Sequence, residues 1–199
     1  MSELAPGVRI GVDGVARCAW AGDDVEYQRY HDEEWGRPLH GDRPLFEKIC
    51  LEGFQAGLSW ITILRRRPGF RAAFEDFDPT AVARFDAHDV ERLMGDARII
   101  RNRAKIEATI GNAAALLALV AAEGEGALDR LVWSHAPATH RPRPRSLSEI
   151  PAVTSEATAL STALKRIGFR FVGPTTMYAL MQSAGLVDDH VVGCHRAED

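Results

Sequence analysis

Apolar residues recur at intervals of three and four along most of this chain, and this spacing constrains its fold more than any other feature. A period near 3.6 places apolar side chains on one face of a helix. Alternation of apolar and polar residues, which is typical of half-buried strands, extends over no useful length of the sequence. The pattern therefore predicts an all-α fold.

Capping and turn residues set the bounds of the predicted helices. Aspartate and asparagine are favoured just before a helix, proline at its first position and glycine just beyond its end. Asp78 followed by Pro79 is one such start, and Gly168 and Gly185 are two such stops. With the apolar spacing, these residues predict helices over 44–54, 79–84, 89–94, 102–122, 155–167 and 174–184.

The longest predicted helix and one proline-rich segment complete this outline. Helical spacing predicts an inner face on the helix over 102–122 that is made of Ile106, Ile110, Ala113, Leu117 and Val120. Segment 135–146, HAPATHRPRPRS, is rich in proline and arginine, and this composition predicts a loop.

The length and composition are those of one soluble globular domain. The chain has 199 residues, of which 46% are hydrophobic and 26% charged. No continuous apolar run approaches the roughly 20 residues that cross a bilayer. The N-terminus lacks the features of a secretion signal, so we expect a cytoplasmic protein. We expect a flexible N-terminal extension over 1–16 and a single helical domain over 17–199.

The net charge of −4 excludes a wholly basic surface of the histone type. It does not exclude DNA binding, because affinity for DNA depends on a local basic face. Basic residues do cluster, at 65–67, 98–105, 141–145 and 165–166. Any one of these clusters is equally typical of a solvated helix face or loop, so charge alone leaves a nucleic-acid partner open.

The three cysteines suit metal binding or burial better than disulfides, because their number is odd and an intracellular chain keeps its thiols reduced. Cys50 lies on the apolar stripe of the helix over 44–54 and is expected in the core. Cys18 and Cys194 stand near opposite ends of the chain, and each has a histidine nearby in the sequence.

Cys18 and His31, taken together with His190 and Cys194, make the Cys2His2 set that structural zinc sites use. One helical turn over 190–194 would bring the last two side chains to the same side. The same four residues are equally typical of buried thiols and hydrogen-bonded core histidines, and His195 is a competing ligand. A catalytic zinc is disfavoured, because four protein ligands leave no open coordination position.

Five short motifs resemble those of the bacterial 3-methyladenine DNA glycosylase I family, in the same order along the chain. They are RCAW at 17–20, YHDEEWG at 30–36, LEGFQAGLSW at 51–60, GFRFVG at 168–173 and DDHVVGC at 188–194. The resemblance implies a helix-hairpin-helix DNA glycosylase architecture with a zinc-clasped terminal lobe. It also implies one structural Zn2+ held by Cys18, His31, His190 and Cys194.

The resemblance further implies a monofunctional enzyme that flips 3-methyladenine out of alkylated double-stranded DNA and hydrolyses its N-glycosidic bond. Its base pocket is implied to contain Glu52 as the catalytic carboxylate and Tyr27, Tyr30, Trp35 and Trp60 as substrate-binding aromatic residues. A base made cationic by methylation stacks well on electron-rich rings. Considered alone, Glu52 is typical of a helix surface, and each aromatic residue is typical of a core.

The segment 94–105, MGDARIIRNRAK, is expected to be the DNA-binding hairpin of this architecture, and it ends in a helix N-terminus suited to phosphate. Its expected phosphate contacts are Arg98, Arg101, Arg103 and Lys105. Arg98 stands where the family usually has glycine, which puts the geometry of the hairpin in question.

Two other functions remain open at this point. A protein that recognises alkylated bases without cleaving them would share the aromatic pocket and the hairpin. A zinc hydrolase acting on a small substrate would lose activity on chelation with its fold intact. The preferred interpretation is a bacterial cytosolic repair enzyme that acts as a monomer on alkylated DNA and has no membrane partner.

Overall fold

A computed structural model describes residues 6–139 and 141–198 of the chain, and most of these residues are helical. Two short strands come first, β1 (Val8–Ile10) and β2 (Ala16–Cys18). The α-helices that follow in the described residues are α1 (Val25–Glu33), α2 (Asp42–Gln55), α3 (Trp60–Leu64), α4 (Arg67–Ala73), α5 (Pro79–Val82), α6 (Ala87–Gly95), α7 (Arg103–Glu123), α8 (Ala127–Trp133), α9 (Ser155–Arg166) and α10 (Pro174–Ser183).

The predicted all-α fold is confirmed, and the capping signals account for the helix bounds. The Asp78 carboxylate accepts hydrogen bonds from the backbone N–H groups of Thr80 and Ala81, which starts α5 as predicted. The Asn102 side chain caps α7 by accepting from the N–H of Lys105. Helices α1, α3, α4 and α8 were not predicted. The last three have seven residues or fewer, and the stability of such short helices depends on tertiary packing.

The N-terminal segment differs from the flexible extension that the sequence predicts. Strands β1 and β2 pair antiparallel, with Val8 opposite Cys18 and Ile10 opposite Ala16. The Arg17 guanidinium is buried and forms ion pairs with Asp13 and with Asp32 of α1, each at 2.8 Å. The hairpin is therefore tied to α1, and residues 1–5 lie outside the described residues.

Helix α7 lies at the centre of the fold, packed against α2, α5, α6 and α8. Helix α7 is long and apolar enough to cross a membrane. Its packing against four other helices explains the same length and composition as those of a core helix. Ile106 and Ala113 are fully buried as predicted, whereas Leu117 and Val120 are half-buried and the neighbouring Leu116 and Leu119 take the inner positions. The difference arises because α7 meets helices on several sides.

Helix α2 joins the core to a concave face of the molecule. Leu45, Phe46 and Ile49 are buried in the core, and Glu52 lies one turn further along. Helix α10 packs against α2. In the segment after α10, the Val192 N–H donates to the Pro144 carbonyl at 2.9 Å. The described part of 135–146 is the predicted loop, with His140 outside the described residues.

Candidate active site and metal centre

The two cysteines and two histidines from opposite ends of the chain form one buried cluster. One ligand atom from each of Cys18, His31, His190 and Cys194 lies within 4.8 Å of all the others. The Cys194 Sγ is 3.4 Å from His31 Nε2 and 3.7 Å from His190 Nδ1, and the Cys18 Sγ is 3.8 Å from His190 Nδ1. The four side chains are at most 3% exposed.

These separations fit a tetrahedral metal ion. Zinc binds sulfur at about 2.3 Å and imidazole nitrogen at about 2.0 Å, so neighbouring S and N ligands of a tetrahedron lie about 3.6 Å apart. The three sulfur–nitrogen distances here lie between 3.4 and 3.8 Å. The cluster can therefore hold one metal ion with all four side chains as ligands.

Both histidines have a second partner that orients the ring. The Nδ1 of His31 lies 2.8 Å from a carboxylate oxygen of Asp32, and the Nε2 of His190 lies 3.3 Å from the carbonyl oxygen of Trp35. Hydrogen-bond acceptors on these outer nitrogens favour the tautomer in which the inner nitrogen carries a lone pair. This arrangement is typical of metal-ligating histidines.

His190 and Cys194 meet through a turn, and the helical turn predicted over 190–194 is not formed. The Cys194 N–H donates to the carbonyl of Val191 at 2.9 Å, and Gly193 has a φ of 89° that favours glycine. The competing ligand His195 has other partners, since its Nδ1 lies 3.0 Å from the Ala16 carbonyl oxygen and its Nε2 lies 3.4 Å from the Asp32 carboxylate. Cys50 is buried in the core as predicted, and burial raises the pKa of its thiol to about 12.

A small open pocket of about 190 Å³ lies beside the cluster of two cysteines and two histidines. Residues from five parts of the fold meet there: the turn after the N-terminal hairpin, α1 with the residues just beyond it, the α2–α3 segment, Ile150 before α9, and α10. The lining residues include all five that the resemblance placed in the pocket, Tyr27, Tyr30, Trp35, Glu52 and Trp60. Gln55, Gln182 and Ser183 supply further polar groups.

Aromatic rings line most of this pocket. Tyr27 and Tyr30 are stacked, with ring centroids 6.4 Å apart, and Trp60 lies 5.5 Å from Tyr30. Trp20 lies 5.0 Å from both Tyr27 and Trp35 and also lines the pocket. Sequence reasoning did not assign Trp20 to the site, although Trp20 stands in the RCAW motif, two residues after Cys18.

Glu52 is buried at the base of the pocket, with 4% of its surface exposed. Its Oε1 accepts a hydrogen bond from Ser183 Oγ at 3.1 Å and forms an ion pair with the Lys48 ammonium, also at 3.1 Å. Burial raises the pKa of Tyr27, and the nearby Glu52 carboxylate raises it further. The pocket therefore presents a buried carboxylate among aromatic rings.

Lys48 is a functional-site residue that sequence reasoning missed. Its Nζ donates to Tyr30 Oη at 2.9 Å and lies 3.8 Å from the centre of the Trp60 ring. Burial lowers the pKa of Lys48, an effect that the Glu52 carboxylate opposes. The signal that could have identified it is its position four residues before Glu52 on α2, which places both side chains on one helix face.

The expected hairpin lies between α6 and α7, and Arg98 fits it without strain. The backbone at Arg98 is outside the left-handed region, so the position does not require glycine. The Arg98 guanidinium pairs with Asp96 at 2.8 Å, and its side chain is 64% exposed. The substitution of arginine for glycine is therefore compatible with this hairpin.

The other three expected phosphate contacts differ in their surroundings. Arg101 is exposed and has no hydrogen-bond or ion-pair partner among the residues that the structure describes. Arg103 is half-exposed and pairs with Glu91 at 2.8 Å. Lys105 is buried instead, and its Nζ donates to the carbonyls of Phe54 and Ala56 at 2.9 and 2.7 Å. Because its ammonium faces the C-terminal end of α2, Lys105 is not available to phosphate.

Comparison with known proteins finds similarity over almost the whole chain. The profile of the family described as methyladenine glycosylase matches residues 20–197. DNA-3-methyladenine glycosylase 1 of Escherichia coli K12 is 54% identical over 181 residues, which are 89% of this chain and 95% of the relative. DNA-3-methyladenine glycosylase of Haemophilus influenzae is 48% identical over 89% of this chain and 96% of the relative.

Solved structures give the same result. A crystal structure of 3-methyladenine DNA glycosylase I matches with a TM-score of 0.86 and 47% identity, over 90% of this chain and 98% of that one. A structure on 3-methyladenine recognition by the Staphylococcus aureus glycosylase matches with a TM-score of 0.84 and 37% identity, over 90% and 95% of the two chains.

Proposed function

Because this chain belongs to the methyladenine glycosylase family, we propose that it excises 3-methyladenine from alkylated double-stranded DNA and leaves an abasic site. The observation that carries the proposal is the pocket in which the buried Glu52 carboxylate lies among Trp20, Tyr27, Tyr30 and Trp60. An enzyme that acts on a base must take it out of the stack and bind it between aromatic side chains.

The aromatic walls recognise the charge of the damaged base. Methylation at N3 makes adenine in DNA formally cationic, and a cation above an aromatic face gains about 0.5–2 kcal/mol that neutral adenine cannot gain. Glu52 adds attraction for the cation and accepts a hydrogen bond from the exocyclic amine. Tyr30, which Lys48 contacts through the phenol oxygen, offers its own proton to a ring nitrogen.

The chemical step is a hydrolysis. The C1′–N9 bond breaks, its electron pair returns to the positively charged base, and a water oxygen bonds to C1′ as that water loses a proton. The base is an activated leaving group, so strong general-acid assistance is unnecessary. Lys48 is held by Glu52 and Tyr30 and is no amine nucleophile, so we expect a monofunctional glycosylase without lyase activity.

The loop between α2 and α3 supplies a candidate for the gap that a flipped nucleotide leaves. Leu58 is 42% exposed, and its neighbours in sequence, Gln55 and Trp60, both line the pocket. An apolar side chain inserted between base steps is a common way to hold duplex DNA open. We assign Leu58 to that position.

The metal cluster is proposed to hold one structural Zn2+. Four protein ligands close a tetrahedral site, and a bound ion there would join the N-terminal hairpin, α1 and the C-terminal segment. His31 follows Tyr30 directly, and His190 contacts the carbonyl of Trp35, so the clasp fixes two walls of the pocket. The ion supplies rigidity, and the bond-breaking step uses Glu52 and the rings.

The hairpin is proposed to hold the DNA backbone through Arg98, Arg101 and Arg103, with the N-terminal N–H groups of α7 nearby. The helical domain over 17–199 would act as a monomer in the bacterial cytosol.

The test is chromatography of the bases that the purified protein releases from methylated duplex DNA. Release of 3-methyladenine without 7-methylguanine is expected, because 7-methylguanine lacks the amine that Glu52 accepts from at that edge. Tight binding of methylated DNA with no released base would replace the proposal with a recognition protein that does not cleave.

A further inference from the structure

An open cleft of about 530 Å³ adjoins both the base pocket and the hairpin, and Arg98 is the one residue of its lining that the proposed function uses. We call it the arginine cleft, and its lining residues are Thr62, Arg65, Arg66, Gly69 and Arg98. Helix α3 begins with Trp60 of the base pocket and continues into Thr62 of the cleft. A DNA strand that passes from the pocket to the hairpin would therefore meet this cleft.

Arg66 is the cation of the cleft that lacks an acidic partner. Its Nη1 donates to the carbonyl of Ala97, in the hairpin, at 2.7 Å. Within the described part of the chain, no carboxylate is paired with it. A neutral carbonyl orients the guanidinium without cancelling its charge, so the remaining N–H groups are available to an anion.

Arg65 and Arg98 are exposed cations of the cleft that each have a carboxylate partner. Arg65 pairs with Asp24, and Arg98 pairs with Asp96. The two arginine side chains are 58% and 64% exposed. The Arg65–Asp24 pair is partly exposed, so a phosphate can replace Asp24 at little cost. Asp96 is only 12% exposed, and Arg98 can contact phosphate through the N–H groups that Asp96 does not use.

Gly69 fixes the distance between the two walls of the cleft. A Cβ at this position would lie 2.7 Å from the Arg98 Cβ and 2.8 Å from the Arg98 carbonyl oxygen. Only glycine lets α4 approach the hairpin this closely. The arginines of α3–α4 and the arginine of the hairpin are therefore held at a fixed separation.

We propose that the arginine cleft binds the phosphodiester backbone of DNA, with Arg66 as its principal cation. The proposal rests on the proposed function, since it extends the DNA surface from the hairpin to the base pocket. The cleft is open to solvent, which suits a continuous strand better than a small enclosed ligand. Three guanidinium groups with planar donors match phosphate oxygens in geometry and charge.

The test compares two substitutions of Arg66. Arg66→Gln keeps an amide donor for the Ala97 carbonyl but removes the charge, whereas Arg66→Lys keeps both. Affinity for an undamaged duplex is measured over a series of salt concentrations, where each phosphate contact adds about 0.9 to the slope of log Kd against log salt. The slope should fall by about 0.9 in Arg66→Gln and stay at the wild-type value in Arg66→Lys.

Arg84→Ala is the matched control, because Arg84 also donates to a backbone carbonyl, that of Thr80 at 2.9 Å, and precedes α6 at the end away from the hairpin. A wild-type slope in Arg66→Gln, or an equal loss in Arg66→Lys, overturns the proposal. Release of 3-methyladenine by wild-type protein is measured in parallel. If the wild-type protein releases no 3-methyladenine, the proposed function fails. If it releases the base normally but the salt slope is unchanged in Arg66→Gln, only the proposal for the arginine cleft fails.

A second, independent observation concerns the polarity of the base pocket. The Lys48 ammonium, which has donors and no acceptor, contacts both the Glu52 carboxylate and the Tyr30 oxygen. It therefore occupies an acceptor site on the phenol, which directs the phenol proton elsewhere. It also holds the Glu52 carboxylate, whose oxygens accept hydrogen bonds. Toward a bound base, Tyr30 is therefore the donor and Glu52 the acceptor.

Few other charges face this pair. Tyr27 approaches from α1, and Glu34, just beyond α1, faces Arg67 of α4. Arg67 and Glu34 pair with each other at 2.8 Å, so their charges largely cancel. Among the described residues, Lys48 is the cation in direct contact with Glu52.

We infer that Lys48 is a positioning residue that makes the pocket select 3-methyladenine over 3-methylguanine. This rests on the proposed function. Adenine offers a donor at its exocyclic amine and an acceptor at N7, which match Glu52 and Tyr30. Guanine has a carbonyl oxygen in place of the amine, so it would face the carboxylate with a second acceptor and leave a buried charge unpaired.

The test is Lys48→Met, which keeps the length of the side chain and removes its charge. The ratio of kcat/KM for 3-methyladenine to that for 3-methylguanine should fall about tenfold. That is the order by which a hydrogen bond to a charged group exceeds one between neutral groups in its effect on binding. Without Lys48, neither the Glu52 carboxylate nor the Tyr30 phenol is held in place as acceptor and donor.

Lys105→Met is the matched control, because it removes another buried lysine that donates to two acceptors away from the pocket. Its discrimination ratio should equal that of the wild type. An unchanged ratio in Lys48→Met, or an equal loss of activity on both bases, overturns the inference. Failure of the wild-type protein to release either base would instead count against the proposed function.

Discussion

The environment of a single residue, Glu52, decides whether it is a surface carboxylate or part of a site. On sequence alone, a glutamate on an amphipathic helix belongs on the surface. In the structure it is buried and held by Ser183 and Lys48. A buried ion pair is costly to break, because removing one partner leaves the other charge without compensation.

Glu52→Gln should therefore reduce both activity and stability. We expect excision of 3-methyladenine to fall at least a hundredfold, and the free energy of unfolding to fall by about 3 kcal/mol, because the Lys48 charge loses its partner. Excision assays and thermal unfolding measure the two effects.

The double variant Glu52→Gln with Lys48→Met separates these effects. Removing both charges should restore most of the stability while activity stays low. Recovery of wild-type excision in the double variant would show that Glu52 is not part of the chemistry.

The hairpin between α6 and α7 shows how an element assigns different roles to neighbouring basic residues. Arg101 is exposed at the hairpin, whereas Lys105 turns inward one turn later. The Lys105 ammonium donates to carbonyls at the end of α2, where the partial negative charge of the helix C-terminus favours a cation. A cluster of basic residues in the sequence is therefore divided between the proposed DNA surface and the core.

Arg101→Ala should weaken binding to duplex DNA and lower the salt dependence of log Kd by about 0.9, as expected for one lost phosphate contact. A fluorescence titration across salt concentrations measures both quantities. An unchanged salt slope would remove Arg101 from the DNA surface.

Lys105→Met should have the opposite profile. Two buried carbonyl groups would lose their donor, so the free energy of unfolding should fall by about 2 kcal/mol. The salt slope should match that of the wild type, because the ammonium does not face solvent. Denaturant unfolding and the same DNA titration test this, and a reduced slope would contradict it.

At the scale of the whole molecule, the Cys2His2 cluster connects the two ends of the chain. Cys18 ends β2 of the N-terminal hairpin, His31 lies in α1, and the other two residues lie in the C-terminal segment. The cluster also adjoins the base pocket, through Tyr30 beside His31 and through the Trp35 carbonyl beside His190. Loss of the clasp should therefore loosen the pocket walls along with the termini.

Cys194→Ala should release the metal and lower the melting temperature, because metal binding of this kind contributes directly to folding. Metal analysis and thermal unfolding with and without a chelator measure this. The melting temperature of wild-type protein should fall on chelation, whereas that of the variant should not change.

Cys50→Ala is the matched control, since Cys50 is a buried thiol of the core outside the cluster. It should retain one metal ion per chain and its response to the chelator. Equal metal content in Cys194→Ala and in the wild type would contradict the clasp.

The sequence by itself determined the helical class, the capped starts of α5 and α7 and, through its motifs, five residues that line the pocket and the four of the Cys2His2 cluster. These features are local or are carried by residue identity, so spacing and motif suffice. Only the tertiary structure decided which face of α7 is innermost, that Lys105 turns inward and that Lys48 joins Glu52. Each of these depends on groups distant in sequence, such as the Phe54 carbonyl for Lys105 and Tyr30 for Lys48. Burial by such groups sets the pKa and the hydrogen-bond partners of both lysines.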